Sequence, residues 1–257
     1  AALTGYVERG GHLLVTGRTG LLDNVARTRT NFALADLLGV DYVGISTEYR
    51  DQRAGGDMRF DRHPFFSHLL KKDYNMWGDF LKVRVRDAEV VARIAEPVGV
   101  ETRDTYVGWR SLPPGPDSRW PCVTVARRGE GTAVYCVAPL ARYAQDGERW
   151  PGLLIQGIAE AVGLDWGLRW EGPPTASEAT FFRKDGGLIV HALNQSVRHS
   201  GGVIVPLRDC HIRCTSREPV AARLVYPTQE ELAVSGSLIP VPPVSVHSII
   251  AVTLPGE

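Results

Sequence analysis

The stretch GGHLLVTGRTG, residues 10–20, constrains the fold more than any other part of the chain. At its centre HLLVT is a short run of strand length whose apolar side chains are consecutive, not alternating. That pattern predicts a central parallel strand covered on both faces. Residues 1–9 read as the last turns of a helix, with Gly10 as its C-cap. After the strand, NFALADLLG predicts a second helix, capped at Thr30-Asn31 and closed by Gly39.

The four glycines invite three chemical readings, and each fails on order. A dinucleotide fingerprint needs its Gly-x-Gly-x-x-Gly at the end of a strand, leading into a helix. Here Gly10 and Gly11 precede the strand, while Gly17 and Gly20 have no third glycine in register. A P-loop needs a Gly-Lys-Ser/Thr ending that GRTG lacks. A nucleophile elbow needs Ser or Cys between glycines, and Thr16 has no activating group beside it. The segment reads as a helix cap, a buried strand and a turn, and no cofactor is expected.

Downstream, residues 50–64 form a polar excursion, and PFFSHLL predicts a short helix from Pro64. FLKVRVR and AEVVARI have strand composition, whereas GWRSLPPGPDSRWP, residues 108–121, reads as a proline-rich loop. PCVTVARRGEGTAVYCVA predicts a hairpin turning at Gly129-Glu130, which sets Cys122 opposite Val137. WPGLLIQGIAEAV predicts a helix with proline in its first turn and Gly163 at its end. The composition shifts near residue 164, and beyond it only strands and turns follow, as in a small antiparallel sandwich. The expected domains are residues 1–165 and 180–257, joined by a linker at 166–179.

Lys plus Arg, 29, equals Asp plus Glu, 29, so there is no net basic field for nucleic acid. No apolar stretch reaches the roughly 18 residues of a membrane helix. Cys210 and Cys214 lie four apart in one strand and the other two cysteines fall on opposite hairpin faces, so four free thiols are expected. Free thiols and the lack of a visible signal predict a cytoplasmic, reducing location. The histidines show no metal constellation: His63 and His68 sit on different sides of a helix, and His191, His211 and His247 stand singly in strands. Among the acids, Asp23, Asp36, Glu48, Asp57, Asp61 and Glu101 offer no obvious catalytic pair. The tryptophans flank prolines or the domain boundary, where packing is the expected role. One candidate site remains. Arg18, Asp23, Arg27, Arg29 and Asn31 fall beyond the C-terminal edge of the first strand, where open α/β sheets place ligands or subunit contacts.

Taken together, YVERGGHLLVTG, GRTGLLD and NFALADLLGV resemble the β-galactosidase trimerisation domain. HPFF, AEVVARIAEP, RRGEGTAVYCVAP and GLLIQGIAEAVG follow in the order of that family, and LIVHALNQS through VSVHSIIAVTL resembles the β-rich C-terminal domain of glycoside hydrolase family 42-like proteins. The resemblance implies an open, mostly parallel, flavodoxin-like sheet of the class I glutamine-amidotransferase type, lacking its first elements, followed by an antiparallel β-sandwich. It implies a non-catalytic module whose parent carries its acids on a preceding barrel. The amidotransferase cysteine nucleophile has no counterpart, since no cysteine precedes Cys122.

The expected function is therefore an assembly and accessory region of a glycosyl-hydrolase-like protein, with arginine-rich loops 18–29 and 50–62 bordering a sugar site. Homo-oligomerisation, or a second chain or preceding barrel that completes the sheet, is the expected partnership, with carbohydrate as a possible ligand. The alternatives are an independent carbohydrate-binding or structural module, and a hydrolase with acids the sequence does not single out.

Overall fold

The structure, a computed structural model, describes residues 2–46, 56–76, 80–98, 113–145, 148–164, 167–173, 177–184, 187–196 and 204–255. The chain divides into two compact units, residues 1–163 and 164–257.

Unit 1 opens with helix α1 (Ala2–Glu8) and strand β1 (His12–Thr16). Gly10 closes the helix with φ +95°, a conformation that favours glycine. Next come α2 (Ala35–Leu38), β2 (Val40–Ile45), β3 (Asp57–Phe60), a 3-10 turn (Pro64–Phe66), β4 (Asp73–Asn75) and β5 (Leu81–Val85). The unit finishes with β6 (Glu89–Pro97), β7 (Pro114–Arg128), β8 (Gly131–Cys136), α3 (Leu140–Gln145) and α4 (Trp150–Ala161).

The main sheet has six strands in the order β1-β8-β7-β6-β3-β4, and β2 pairs separately with β5. Only β1 and β8 run parallel; every other pair in the six-stranded sheet is antiparallel. The mostly parallel, flavodoxin-like sheet expected from the sequence is thus overturned. The reason lies in the connections. β7 and β8 are joined by the tight turn at Gly129-Glu130, and a tight turn can only link antiparallel strands. Its register sets Val123 opposite Cys136, and Val137 N–H donates to Cys122 O at 2.9 Å, the pairing read from the sequence.

Three local expectations also change. The helix expected from Asn31 begins only at Ala35, because Asn31 does other work. Its Oδ1 accepts from Phe32 N–H at 2.9 Å and Tyr42 N–H at 2.8 Å, and its Nδ2 donates to Asp41 Oδ1 at 2.8 Å. That ties the loop to β2, and the hydrogen bond from Asn31 is the main cause holding the Asp41 carboxyl below its ordinary range. Within the polar excursion, residues 57–60 form β3, between β6 and the edge strand β4, burying Met58 and Phe60 (residues 50–55 lie outside the described residues). The helix expected from Pro64 is a single 3-10 turn, and most of the proline-rich loop is the start of β7. β6 and β7 accommodate the prolines through repeated register shifts, since each proline removes a ladder donor.

The core of unit 1 gathers Leu38, Val40, Met58, Ile94, Tyr135 and Leu154, all buried, with Trp150 packed near Phe60, Tyr74 and Tyr143. On the opposite side of β3 a guanidinium links three strands. Arg59 donates through Nε to Asp73 Oδ1 and through Nη1 to Asp117 Oδ1, both at 2.7 Å, and Nη1 also reaches Gly115 O at 3.0 Å. This fastens the irregular start of β7 to β3 and β4.

Unit 2 is all β. β9 (Leu168–Glu171), β12 (Cys210–Cys214) and β15 (Leu238–Val241) form a three-stranded sheet in the order β15-β12-β9. β10 (Ser177–Lys184), β11 (Gly187–Asn194), β13 (Ala221–Tyr226), β14 (Glu230–Leu232) and β16 (His247–Thr253) form a second, ordered β10-β11-β16-β13-β14. Part of the segment read as a linker is therefore strand: residues 168–171 and 177–179. Strict alternation along β11 and β16 buries Leu188, Val190, Ile250 and Val252 against Ile212 and Ile239 of the other sheet. Buried Asn194 donates to Val205 O and Ser245 O, both at 2.8 Å, which satisfies its own amide and ties two loop carbonyls to the end of β11.

Replacing Arg59 with Met removes the link between β3, β4 and β7 while keeping much of its volume. The expected outcome is a loss of about 1–3 kcal/mol, read as a lowered Tm in thermal unfolding, while an Arg223→Met control at an exposed position leaves Tm in place.

Candidate functional site

β1 and β8 end side by side, and the chain leaving them builds a cavity of about 460 Å3. Gly17 and Arg18 follow β1, and Val137, Ala138 and Pro139 follow β8. Ile45 from the end of β2 and Leu81 from the start of β5 add apolar wall, as do Met76 and Phe80, while α3 contributes Arg142 and Tyr143.

The rim is tightly held. Gly17 has φ +55°, a conformation that favours glycine, and its N–H donates to Cys136 O at 2.9 Å. Buried Tyr135 donates its hydroxyl to Gly17 O at 2.9 Å, and Thr19 Oγ1 donates to Thr16 O at 2.8 Å. Burial pushes the Tyr135 phenol well above its ordinary pKa, so it acts as a neutral donor. Burial likewise pushes the Cys136 thiol at the end of β8 up to about 12, and Cys122 rises for the same reason, with the nearby Cys136 adding to it. Both stay protonated and inert.

Among the described residues lining the cavity, the polar side chains are Arg18, Arg142 and Tyr143, with no carboxylate, imidazole or thiol. Such a site can hold a small ligand by apolar contact and guanidinium hydrogen bonds. Its described walls hold no carboxylate, imidazole or thiol to serve as general acid or base.

The five residues singled out from the sequence do not converge here. Arg18 lines the cavity. Asp23 shapes its own turn, its Oδ1 accepting from Val25 N–H at 2.9 Å and Arg27 N–H at 2.8 Å, within a small loop closed by the Leu22–Thr28 bridge. Arg27 is exposed on that loop, and Arg29 donates back to Leu22 O at 3.3 Å. Asn31 is the structural tie to β2 described above. The remaining lining comes from Ile45, Phe80, Val137 and α3, segments distant in sequence whose meeting depends on the tertiary fold.

Among the carboxylates, Asp36 is solvated beside Arg86, and Asp61 pairs with Lys72 at 3.3 Å. Glu48 and Glu101 lie outside the described residues. Asp57 is the unexpected one. It is only 6% exposed, sits one pleat from Asp73 on the Arg59 side of β3, and its Oδ2 has no hydrogen-bond partner. Burial first, and then the Asp73 charge, raise its pKa. The histidines also differ from expectation: His68 Nε2 meets Glu160 Oε2 at 2.6 Å, and His191 meets His247. No group of three or more candidate metal ligands occurs among the described residues, and no helix among them is long and apolar enough to cross a membrane.

No family model matches the chain, and no curated protein matches it. Solved structures do. Alpha-L-fucosidase isoenzyme 2 from Paenibacillus thiaminolyticus superposes with a TM-score of 0.67 at 18% identity, over 99% of this chain and 38% of that one. The fold of this chain is shared with part of that protein. The beta-galactosidase from Bacillus circulans sp. alkalophilus matches with a TM-score of 0.62 at 14% identity, covering 98% of this chain and 30% of its own. Gan42B, a GH42 beta-galactosidase from G. stearothermophilus, matches with a TM-score of 0.58 at 13% identity, over 98% and 29%. The chain thus spans about a third of the length of these proteins.

Asp57 gives a pH prediction. Its folded pKa lies above its unfolded value, so its contribution to stability is full below about pH 4 and is lost as pH rises to the folded pKa. Asp57→Asn is expected to raise Tm at pH 7, with the gain shrinking towards zero as pH falls to about 4. Parallel thermal melts of the two proteins across that range check it.

Proposed function

We propose that this chain is a non-catalytic assembly and accessory region of a carbohydrate-associated protein related to glycoside hydrolases, making subunit contacts as the β-galactosidase trimerisation domain does. The observation that carries the reading is the open edge of β1. This strand has β8 on one side and no partner on the other among the described residues, although Leu13, Leu14 and Val15 give it apolar side chains on both faces. A parallel strand of this composition belongs inside a sheet, and an unpaired apolar edge attracts another strand. Helix α1, which packs on β1 and β8, leaves Leu3 and Tyr6 half exposed beside it. Assembly through this edge would cover all of these groups.

The carbohydrate association is supported by the structural likeness to a fucosidase and to β-galactosidases, and the accessory role by a cavity whose described walls carry guanidinium and phenol but no acid. In that role Arg18 and Arg142 would border a sugar site completed by an associated domain.

Native mass spectrometry and light scattering of the 257-residue chain test the assembly. The expected result is a defined multiple of 28.2 kDa, with Leu14→Lys shifting the population to monomer. A 28.2 kDa monomer at every concentration overturns the reading, as does turnover of aryl glycosides by the purified chain.

A further inference from the structure

The cavity at the ends of β1 and β8 has two chemically different parts. Behind its rim the described wall is apolar: Met76, Phe80, Leu81 and Val137 are buried, and Ile45 is half buried. The two guanidinium side chains that line it, Arg18 and Arg142, belong to exposed residues and so stand at the rim. Among the described residues nothing pairs with the Arg18 guanidinium. Its main chain is nonetheless fixed. Gly17 before it is held by Cys136 O and by the Tyr135 hydroxyl, both at 2.9 Å, and Arg18 O accepts from Leu21 N–H at 2.9 Å. A cationic arm therefore starts from a pinned point beside an apolar space.

We propose that this cavity binds a small carboxylate with an apolar body, the carboxylate held by Arg18 at the rim and the body lodged against the wall behind it. The inference goes beyond the carbohydrate-associated reading. The sugar site proposed above lies outside the rim, whereas this ligand occupies the space inside it.

Charge, wall chemistry and size select this occupant. A guanidinium presents its donors in a planar fork that fits a carboxylate, and no described carboxylate lines the cavity to compete for it. Arg142 adds positive potential at the same rim. A neutral sugar inside the rim would turn most of its hydroxyls towards Met76, Phe80, Leu81 and Val137. Each hydroxyl buried without a partner costs about 1–3 kcal/mol, whereas a ring or short alkyl chain leaves water favourably. At about 30 Å3 per water, 460 Å3 is the room of roughly fifteen waters. That admits a single ring with a short side chain and is too small for a folded segment or a polymer.

Ligand-observed NMR titration of the 257-residue chain tests the proposal with four probes: 3-phenylpropionate, its neutral analogue 3-phenylpropanamide, D-glucuronate and acetate. The expected result is that 3-phenylpropionate binds most tightly of the four and weakens with added salt. Arg18→Gln, at an exposed position, should weaken 3-phenylpropionate by roughly 3- to 20-fold and leave any binding of the amide unchanged, with unaltered circular dichroism and Tm confirming an intact fold. Equal affinity for the acid and its amide overturns the anionic head, and glucuronate binding more tightly than 3-phenylpropionate overturns the apolar body. Undiminished 3-phenylpropionate binding by Arg18→Gln places the ligand elsewhere and overturns the site. No saturation by 3-phenylpropionate up to about 10 mM overturns the proposal as a whole, while the assembly reading is decided separately by its mass measurement.

Discussion

Parallel strands cannot be joined by a tight turn, so the pairing of β1 with β8 fixes the course of more than a hundred residues between them. All five residues of β1 align with residues 132–136, and buried Tyr135 of β8 secures the end of β1 by donating to Gly17 O. The two strands finish level, so the loops that leave them diverge around a common space. The candidate cavity is that space. On its other side β1 remains unpaired among the described residues, so one pairing defines both the cavity and the edge proposed for assembly.

The sequence exposed the pieces of this arrangement better than their connection. HLLVT is legible as a two-sided apolar strand and the register of the β7–β8 hairpin is legible from Gly129-Glu130, because both depend on local chemistry. Sheet direction is not local. One parallel-type strand suggests a parallel sheet, whereas β3, β4, β6 and β7 add by antiparallel pairing. Polar residues hid β3: Asp57 and Arg59 look like loop, yet they face Asp73 and Asn75 across β4 while Met58 and Phe60 fill the core. Prolines hid the start of β7, which holds its place through irregular pairing and the Arg59 guanidinium.

The candidate sites show the same division. A polar loop beyond the first strand is visible in the sequence, and Arg18 does reach the cavity. Asp23 and Asn31 are instead consumed by backbone hydrogen bonds, the usual fate of short polar side chains in turns. His191 and His247, 56 residues apart, look solitary in the sequence, since only strand order brings them together.

The central claim is that β1 is an interior strand whose second partner comes from the assembly. Amide hydrogen exchange over residues 12–16 measures this directly, comparing the dissociated Leu14→Lys chain with the parent chain in its assembled state. The account predicts that amides of β1 turned away from β8 exchange rapidly in the first and are protected in the second. Equal exchange of those amides in both states would contradict it.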